Sequence, residues 1–314
     1  MSVMSQHIGI GTVPPETTPA ALRTLVHKHT ADNVLLTGIS ACGSDRFSCT
    51  GRLPDDHLFF NDTGRSPRQD ILFYTELGRQ ASLAISHAFL EVSTGDVFIF
   101  EGSDATMTDA AWSKTRHADA DRVVMDIAIQ EITRRRNNAV NRVVARHRMF
   151  VGNELVFHGT GAWTVQPAAL FQRLRRTSFS GPLAASVDVA RRQPVSNVVI
   201  TTPAHGEDRA SFTSSLIVDY THPYFFDHPC DHIPGMLLLE GCAQLALAAF
   251  EDVTSVPSGR SAVCAYDVDF AQFVERGMPT TLTAQVNAED DVEIVITQPD
   301  VVCGTTTMRV AFPV

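Results

Sequence analysis

The 314-residue chain has almost no lysine: Lys28 and Lys114 stand against 23 arginines. It carries 25 basic and 35 acidic side chains, a net charge of −10. It therefore lacks the basic footprint of a general nucleic-acid binder and the polybasic segment of a membrane-surface protein. A GC-rich coding sequence by itself produces such an arginine bias. The six cysteines (Cys42, Cys49, Cys230, Cys242, Cys264, Cys303) include no C-x-x-C pair, which argues against a zinc finger or a disulfide scaffold and for buried reduced thiols. No charged segment followed by an apolar run opens the chain, so the expectation is a cytoplasmic protein without a signal peptide. The most apolar window, 235–250, is shorter than the ~20 residues that span a bilayer. It also holds Glu240 and Gln244, and is expected to be a buried core helix. The length allows two domains or one large one.

What the chain does have is an internal repeat. Asn33-Val34-Leu35-Leu36-Thr37 returns as Asn197-Val198-Val199-Ile200-Thr201, and His57-Leu58-Phe59-Phe60 as His222-Pro223-Tyr224-Phe225-Phe226. The run from Phe73 to Ala81, with Glu76 and Gln80, returns as Leu237 to Leu245, with Glu240 and Gln244. Three matches in one order at nearly one offset mark a duplicated module. Each copy reads as two strands, an aromatic segment, a long apolar helix and further strands. The first helix is expected from about Ile71 to Phe89 and the second directly after Pro234, a residue preset for a first helical turn. Period-2 patterning places strands near 123–133, 140–150, 155–165, 262–273, 280–286, 292–297 and 305–312. The Ser-, Ala-, Gly- and Pro-containing stretch 177–195 is the expected linker between modules 1–176 and 196–314. An antiparallel sheet wrapped around an apolar helix is the hotdog arrangement, so the expected fold is α+β, a double hotdog.

The polar residues on these helices carry the chemistry. Glu240 and Gln244 share one helix face, as do Glu76 and Gln80, with Arg79 three residues after Glu76. A buried carboxylate must be hydrogen-bonded, shifted in pKa or placed at a cavity; fixing the helix to neighbouring backbone is the alternative role for both pairs. Before the second helix, Asp227, His228, Asp231 and His232 crowd the helix N-terminus at Gly235. Imidazoles that titrate near neutrality and a helix end that favours negative charge make an acid/base site with oxyanion stabilisation. The His pair lacks a helix-borne His-Glu-x-x-His frame, so no metal is expected. His57 and His222 are expected to serve the turns before the aromatic pairs.

The run Phe225 to Gln244, with its Asp231-His232-Ile233-Pro234-Gly235-Met236 core, resembles the A-factor biosynthesis (AfsA-type) hotdog family, the γ-butyrolactone autoregulator synthases of actinomycetes. The first copy agrees through Leu25-Val26-His27-Lys28, Asn33 to Thr37, Asp45-Arg46-Phe47, His57 to Phe60 and Glu76 to Gln80. The same segment is more distantly similar to 3-hydroxyacyl-carrier-protein dehydratases. The family resemblance implies an acyltransferase of secondary metabolism that moves a β-ketoacyl group from acyl carrier protein to dihydroxyacetone phosphate or a similar hydroxyl acceptor, without a cofactor. It implies the helix-motif residues Glu76, Arg79, Glu240 and Gln244 as site residues; with those read from the loop and the helix face, the expected catalytic residues are Glu76, Glu240, His228 and His232, and the expected substrate-binding ones Arg79, Gln80, Gln244, Asp231 and Gly235. One departure stands out: family members usually carry Arg where this chain has Ala243, and an Arg there would suit a phosphate. Dehydration or hydrolysis of an acyl thioester, and non-catalytic binding of an acyl ligand, are the competing readings, and homo-oligomerisation is left open. Six arginines (Arg134, Arg135, Arg136, Arg142, Arg146, Arg148) fall within 15 residues free of acid. They are either a dock for an acidic carrier protein or the solvated faces of two adjacent strands.

Overall fold

Period-2 burial builds the sheet. In β4 (Arg122–Arg134), Val123, Met125, Ile127 and Ile129 turn inward while their neighbours face out. The computed structural model describes residues 18–61, 70–112, 122–175, 197–206, 208–228, 230–287 and 291–312; the expected linker lies outside them. The chain order is α1 (Pro19–Leu25), β1 (Leu36–Ala41), β2 (Arg46–Arg52), α2 (Ile71–Phe89), β3 (Val97–Met107), β4, β5 (Val140–Val151), β6 (Glu154–Gln166), α3 (Ala168–Leu174), β7 (Ala204–His205), β8 (Ser211–Ser215), α4 (Gly235–Thr254), β9 (Ala262–Phe270), β10 (Thr281–Val286), β11 (Asp291–Gln298) and β12 (Val301–Ala311).

All twelve strands join one antiparallel sheet in the order β1-β2-β4-β5-β6-β3-β9-β12-β11-β10-β8-β7. Read from its two ends, this order is one six-strand pattern written twice, which is the sequence repeat in three dimensions. The seam is β3 against β9, with Gly102 opposite Asp269 and Thr106 opposite Ala265. α2 packs on β1, β2, β3, β5, β6 and β9, α4 packs on β8 to β12, and the two helices touch. Both are apolar nearly all round because the sheet encloses them. Asp70 caps α2, its Oδ1 accepting from Leu72 N at 2.9 Å. α4 starts after Pro234 with no side-chain cap.

The repeated motifs turn out to be clamps. Gln80 Oε1 accepts from Leu35 N (2.8 Å), and its Nε2 donates to Asn33 O and Glu76 Oε1, both at 2.8 Å. Gln244 repeats this with Val199 N (3.0 Å), Asn197 O (2.8 Å) and Glu240 Oε1 (2.8 Å). Asn33 donates across to Pro223 O, and Asn197 to Leu58 O. His57 Nδ1 and His222 Nδ1 each accept from the two backbone amides of the following aromatic turn. Phe59 then stacks on Tyr224 at 4.4 Å between the halves.

Candidate functional site

α2 presents one side to a cavity of about 690 Å³ that lies between the two halves and is lined mainly by apolar groups. The first half supplies His27 and Lys28 from the turn after α1, Glu76 and Arg79 from α2, and His147 and Trp163 from β5 and β6. The second half supplies Tyr224, His228, Cys230, Asp231, His232 and the start of α4 at Gly235.

A charged cluster sits in this wall. Glu76 is fully buried and takes a two-point grip from Arg79, Nε to Oε2 at 2.7 Å and Nη2 to Oε1 at 2.9 Å. Lys28 Nζ adds a contact to Oε1 at 3.2 Å and lies 4.8 Å from the centre of the Tyr224 ring. Burial alone would raise the Glu76 carboxyl, but the Arg79 and Lys28 charges and the bonds from Arg79 and Gln80 hold it well below the usual carboxylate range. Burial pushes Lys28 down from the ordinary lysine value, with Glu76 opposing the fall. Two cations thus face the Glu76 carboxylate, whose oxygens are already committed, and Asp227 is a second carboxylate within reach of the Lys28 charge. Arg79 keeps 32% of its side-chain surface free, and it lines the cavity.

The loop before α4 is tied down on both sides. Although burial opposes it, Asp227 stays below the usual aspartate range because His29 N and Thr30 N donate to it at 2.8 and 2.9 Å. His232 Nδ1 lies 2.6 Å from Asp231 Oδ1, and Arg175 holds both Asp231 (2.9 Å) and Glu275 (2.6 Å). The bond to His232, together with Arg175, takes Asp231 down to about 2. Between these anchors His228 Nε2 lies 3.5 Å from Cys230 Sγ, and its Nδ1 is buried without a partner among the described residues. Burial, with Arg79 and Lys28 nearby, lowers the His228 imidazole to about 4, and burial raises the Cys230 thiol. The pair is therefore a neutral imidazole beside a protonated thiol.

The sequence model of the A-factor biosynthesis hotdog domain matches residues 12–167 and again 180–312. The chain belongs to the A-factor biosynthesis hotdog family. Two relatives are each named 2-oxo-3-(phosphooxy)propyl 3-oxoalkanoate synthase. The one from Streptomyces virginiae is 28% identical over 84% of this chain and 86% of its own length. The one from Streptomyces coelicolor is 29% identical over 91% and 85%. Among solved structures the chain is similar to a tesB protein of Mycobacterium avium subs paratuberculosis (TM-score 0.49, 12% identical, 95% of this chain and 100% of that chain).

In this A-factor biosynthesis hotdog chain the cavity gathers Glu76, Arg79, His228, Asp231, His232 and Gly235. Gln80, Gln244 and Glu240 do not line it; they sit in the clamps of the two helices, buried to within 1% of full enclosure. His27, Lys28 and Arg175 are residues that sequence reading did not place in the site. The signal for Lys28 was present: in a chain with two lysines, one stands in the His27-Lys28 string on which the family resemblance partly rests. The acid-free arginine run is also less bare than its sequence, since Arg142 pairs with Glu131 on the adjacent β4 and with Glu101 on β3, one strand beyond β6, and Arg148 lies 3.7 Å from Asp126 on β4. Among the described residues, no group of three or more His, Cys, Asp and Glu could hold a metal ion, and no helix is long and apolar enough to cross a membrane.

Proposed function

We propose that the chain transfers a β-ketoacyl group from an acyl carrier protein thioester to the hydroxyl of dihydroxyacetone phosphate or a similar small phosphorylated acceptor. The product named for the relatives is the phosphorylated ester that this transfer makes. The observation that carries the reading is the Lys28–Glu76–Arg79 cluster in the wall of a largely apolar cavity. A part-exposed guanidinium with a lysine beside it suits a phosphate, and the apolar wall suits an acyl chain. Lys28 supplies from the first half the second cation that Ala243 does not supply from the second.

In this reading Arg79 and Lys28 hold the acceptor's phosphate, and the start of α4 at Gly235 and Met236, which has no side-chain cap, polarises the thioester carbonyl. An uncharged imidazole of the cavity accepts the hydroxyl proton as the new C–O bond forms. The C–S bond then breaks, and the proton returns to the leaving thiolate. Transfer is direct. Cys242 is fully enclosed with its thiol pushed up by burial, and the Cys230 thiol is likewise raised next to an imidazole lowered to about 4, the reverse of an activated thiolate.

Mass spectrometry of a β-ketoacyl carrier protein incubated with the enzyme, with and without dihydroxyacetone phosphate, is the test. The expected result is acyl loss and phospho-ester formation only with the acceptor present, weakened through KM in Lys28→Met. Equal acyl loss without the acceptor refutes the synthase reading in favour of hydrolysis.

A further inference from the structure

The turn that carries Lys28 also carries an unusual residue. Helix α1 ends with His27 N donating to Thr24 O (3.2 Å) and Lys28 N to Arg23 O (3.1 Å), while Val26 caps the helix. This pair of bonds is a Schellman motif, whose residue after the cap adopts the left-handed conformation and is usually glycine. Here it is His27, at φ 55°. An imidazole occupies a backbone position that costs every residue with a Cβ.

The side chain explains why an imidazole stands there. His87, near the C-terminus of α2, places Nδ1 2.9 Å from the carbonyl oxygen of Val92, which can only accept. The proton therefore sits on His87 Nδ1, and its Nε2 carries a lone pair. That Nε2 lies 2.8 Å from Nε2 of His27, which must then be the donor. The tautomer is passed along: His27 holds its proton on Nε2 and keeps a free lone pair on Nδ1. His27 lines the cavity beside Lys28 and Arg79. Phe98 packs edge-on against both rings, at 5.7 and 5.1 Å, and fixes their planes. Burial lowers both the His27 and the His228 imidazole to about 4, so accessibility separates them: the Nδ1 of His228 is closed off and its Nε2 is turned to Cys230.

We propose that His27 is the general base of the acyl transfer and that His87 is its positioning residue. Resting on the acyl-transfer reading above, His27 Nδ1 takes the acceptor hydroxyl proton as the C–O bond forms and returns it to the thiolate released when the C–S bond breaks. Both nitrogens of His27 carry protons only between those two events, and His87 Nε2 accepts from the charged ring throughout.

His27→Gly separates this role from a structural one. Glycine is the better residue for the left-handed position, so the variant is expected to melt at or above the wild-type temperature while kcat falls at least about 100-fold. Added imidazole restores part of the rate. His87→Asn is expected to lower kcat and leave the acceptor KM unchanged. Nitrogen-15 NMR of the free protein should show His27 protonated on Nε2 only. Full turnover by His27→Gly, or His27 protonated on Nδ1 instead, overturns the base while acyl transfer itself stands. Absence of acceptor-dependent product from the wild type overturns acyl transfer, and the base with it.

Discussion

Replacing Glu76 with Gln perturbs the charged cluster with little change of shape. The amide can keep its contact with Gln80, but Lys28 and Arg79 lose the charge they face. Breaking a buried ion pair by removing one partner costs about 3–5 kcal/mol. Arg79 reaches the cavity and can hydrate; Lys28, 6% exposed, cannot. Its escape is to lose a proton, which from an ordinary lysine value to pH 7 costs about 4.6 kcal/mol at about 1.36 kcal/mol per unit. Burial has already lowered the Lys28 value, so the wild type carries part of that cost, and the loss settles near the lower figure, about 3 kcal/mol. For a chain of this size that is a fall in Tm of about 6 °C. The pH dependence has a definite sign. With Glu76 gone, the folded Lys28 value lies further below the unfolded one, the unfolded chain binds more protons between the two, and stability rises with pH across that window. Thermal unfolding by circular dichroism at pH 7 and 9, on the wild type, Glu76→Gln, Lys28→Met and the double variant, measures each step. The double variant should recover at least half of the loss, because it leaves no lone charge buried. Inorganic phosphate should raise the Tm of Glu76→Gln more than that of the wild type, the anion in the cavity supplying the negative charge that Arg79 and Lys28 have lost. A Glu76→Gln protein that melts within about 1 °C of the wild type, or that Lys28→Met does not rescue, refutes the cluster as described.

Two further outcomes test the clamps and the buried histidines. Gln244→Leu strips partners from Val199 N and Asn197 O, so it should cost about 1–3 kcal/mol in unfolding experiments and leave the kcat of folded protein unchanged, as Gln244 lies away from the cavity. His147 is 7% exposed, bonded to Ser82 Oγ at 2.9 Å and lowered by burial to about 4. The unfolded chain therefore takes that proton first, and stability is lost as pH falls from about 6.5 toward 4, by about 2 kcal/mol at pH 5. The Tm of His147→Gln should accordingly fall less than that of the wild type between pH 7 and 5, and an equal fall in both removes His147 as a cause.

Both central helices and most strands were legible because enclosure leaves a clear pattern: α2 spans Ile71–Phe89 as its apolar run indicates, and α4 begins directly after Pro234. β3 was not legible. Val97, Phe98 and Phe100 line the cavity while Glu101 is bonded to Arg142 and Thr164, so Val97 to Glu101 are all half-buried and the alternation that marks other strands is lost. β12 starts at Val301, ahead of the expected Thr305, because Asp300 at φ 65° closes a tight turn that pairs Gln298 with Val301. The site was half legible for a related reason. The Asp227–His232 string announces itself by composition, whereas His27 and the rare lysine Lys28 are tied to the site by the folding of the turn after α1 against α2.

The duplication explains which residues were easy to over-read. A repeat preserves whatever both copies need, and both copies need the clamp: Asn33 and Asn197, His57 and His222, Gln80 and Gln244 make matching bonds in the two halves. Residues shared by the copies are therefore weighted toward architecture. In the proposed site, a cavity between the halves, the chemistry would fall instead on what the copies do not share. Arg79 has Ala243 as its counterpart, and the second half brings His228 and His232 to a wall whose cations come from the first. On this argument the departures from the repeat are the better guide to function. Glu76 is the instructive exception: its counterpart Glu240 is equally buried and equally bonded to a glutamine, but only Glu76 has been drawn to the cavity by the Arg79 and Lys28 beside it.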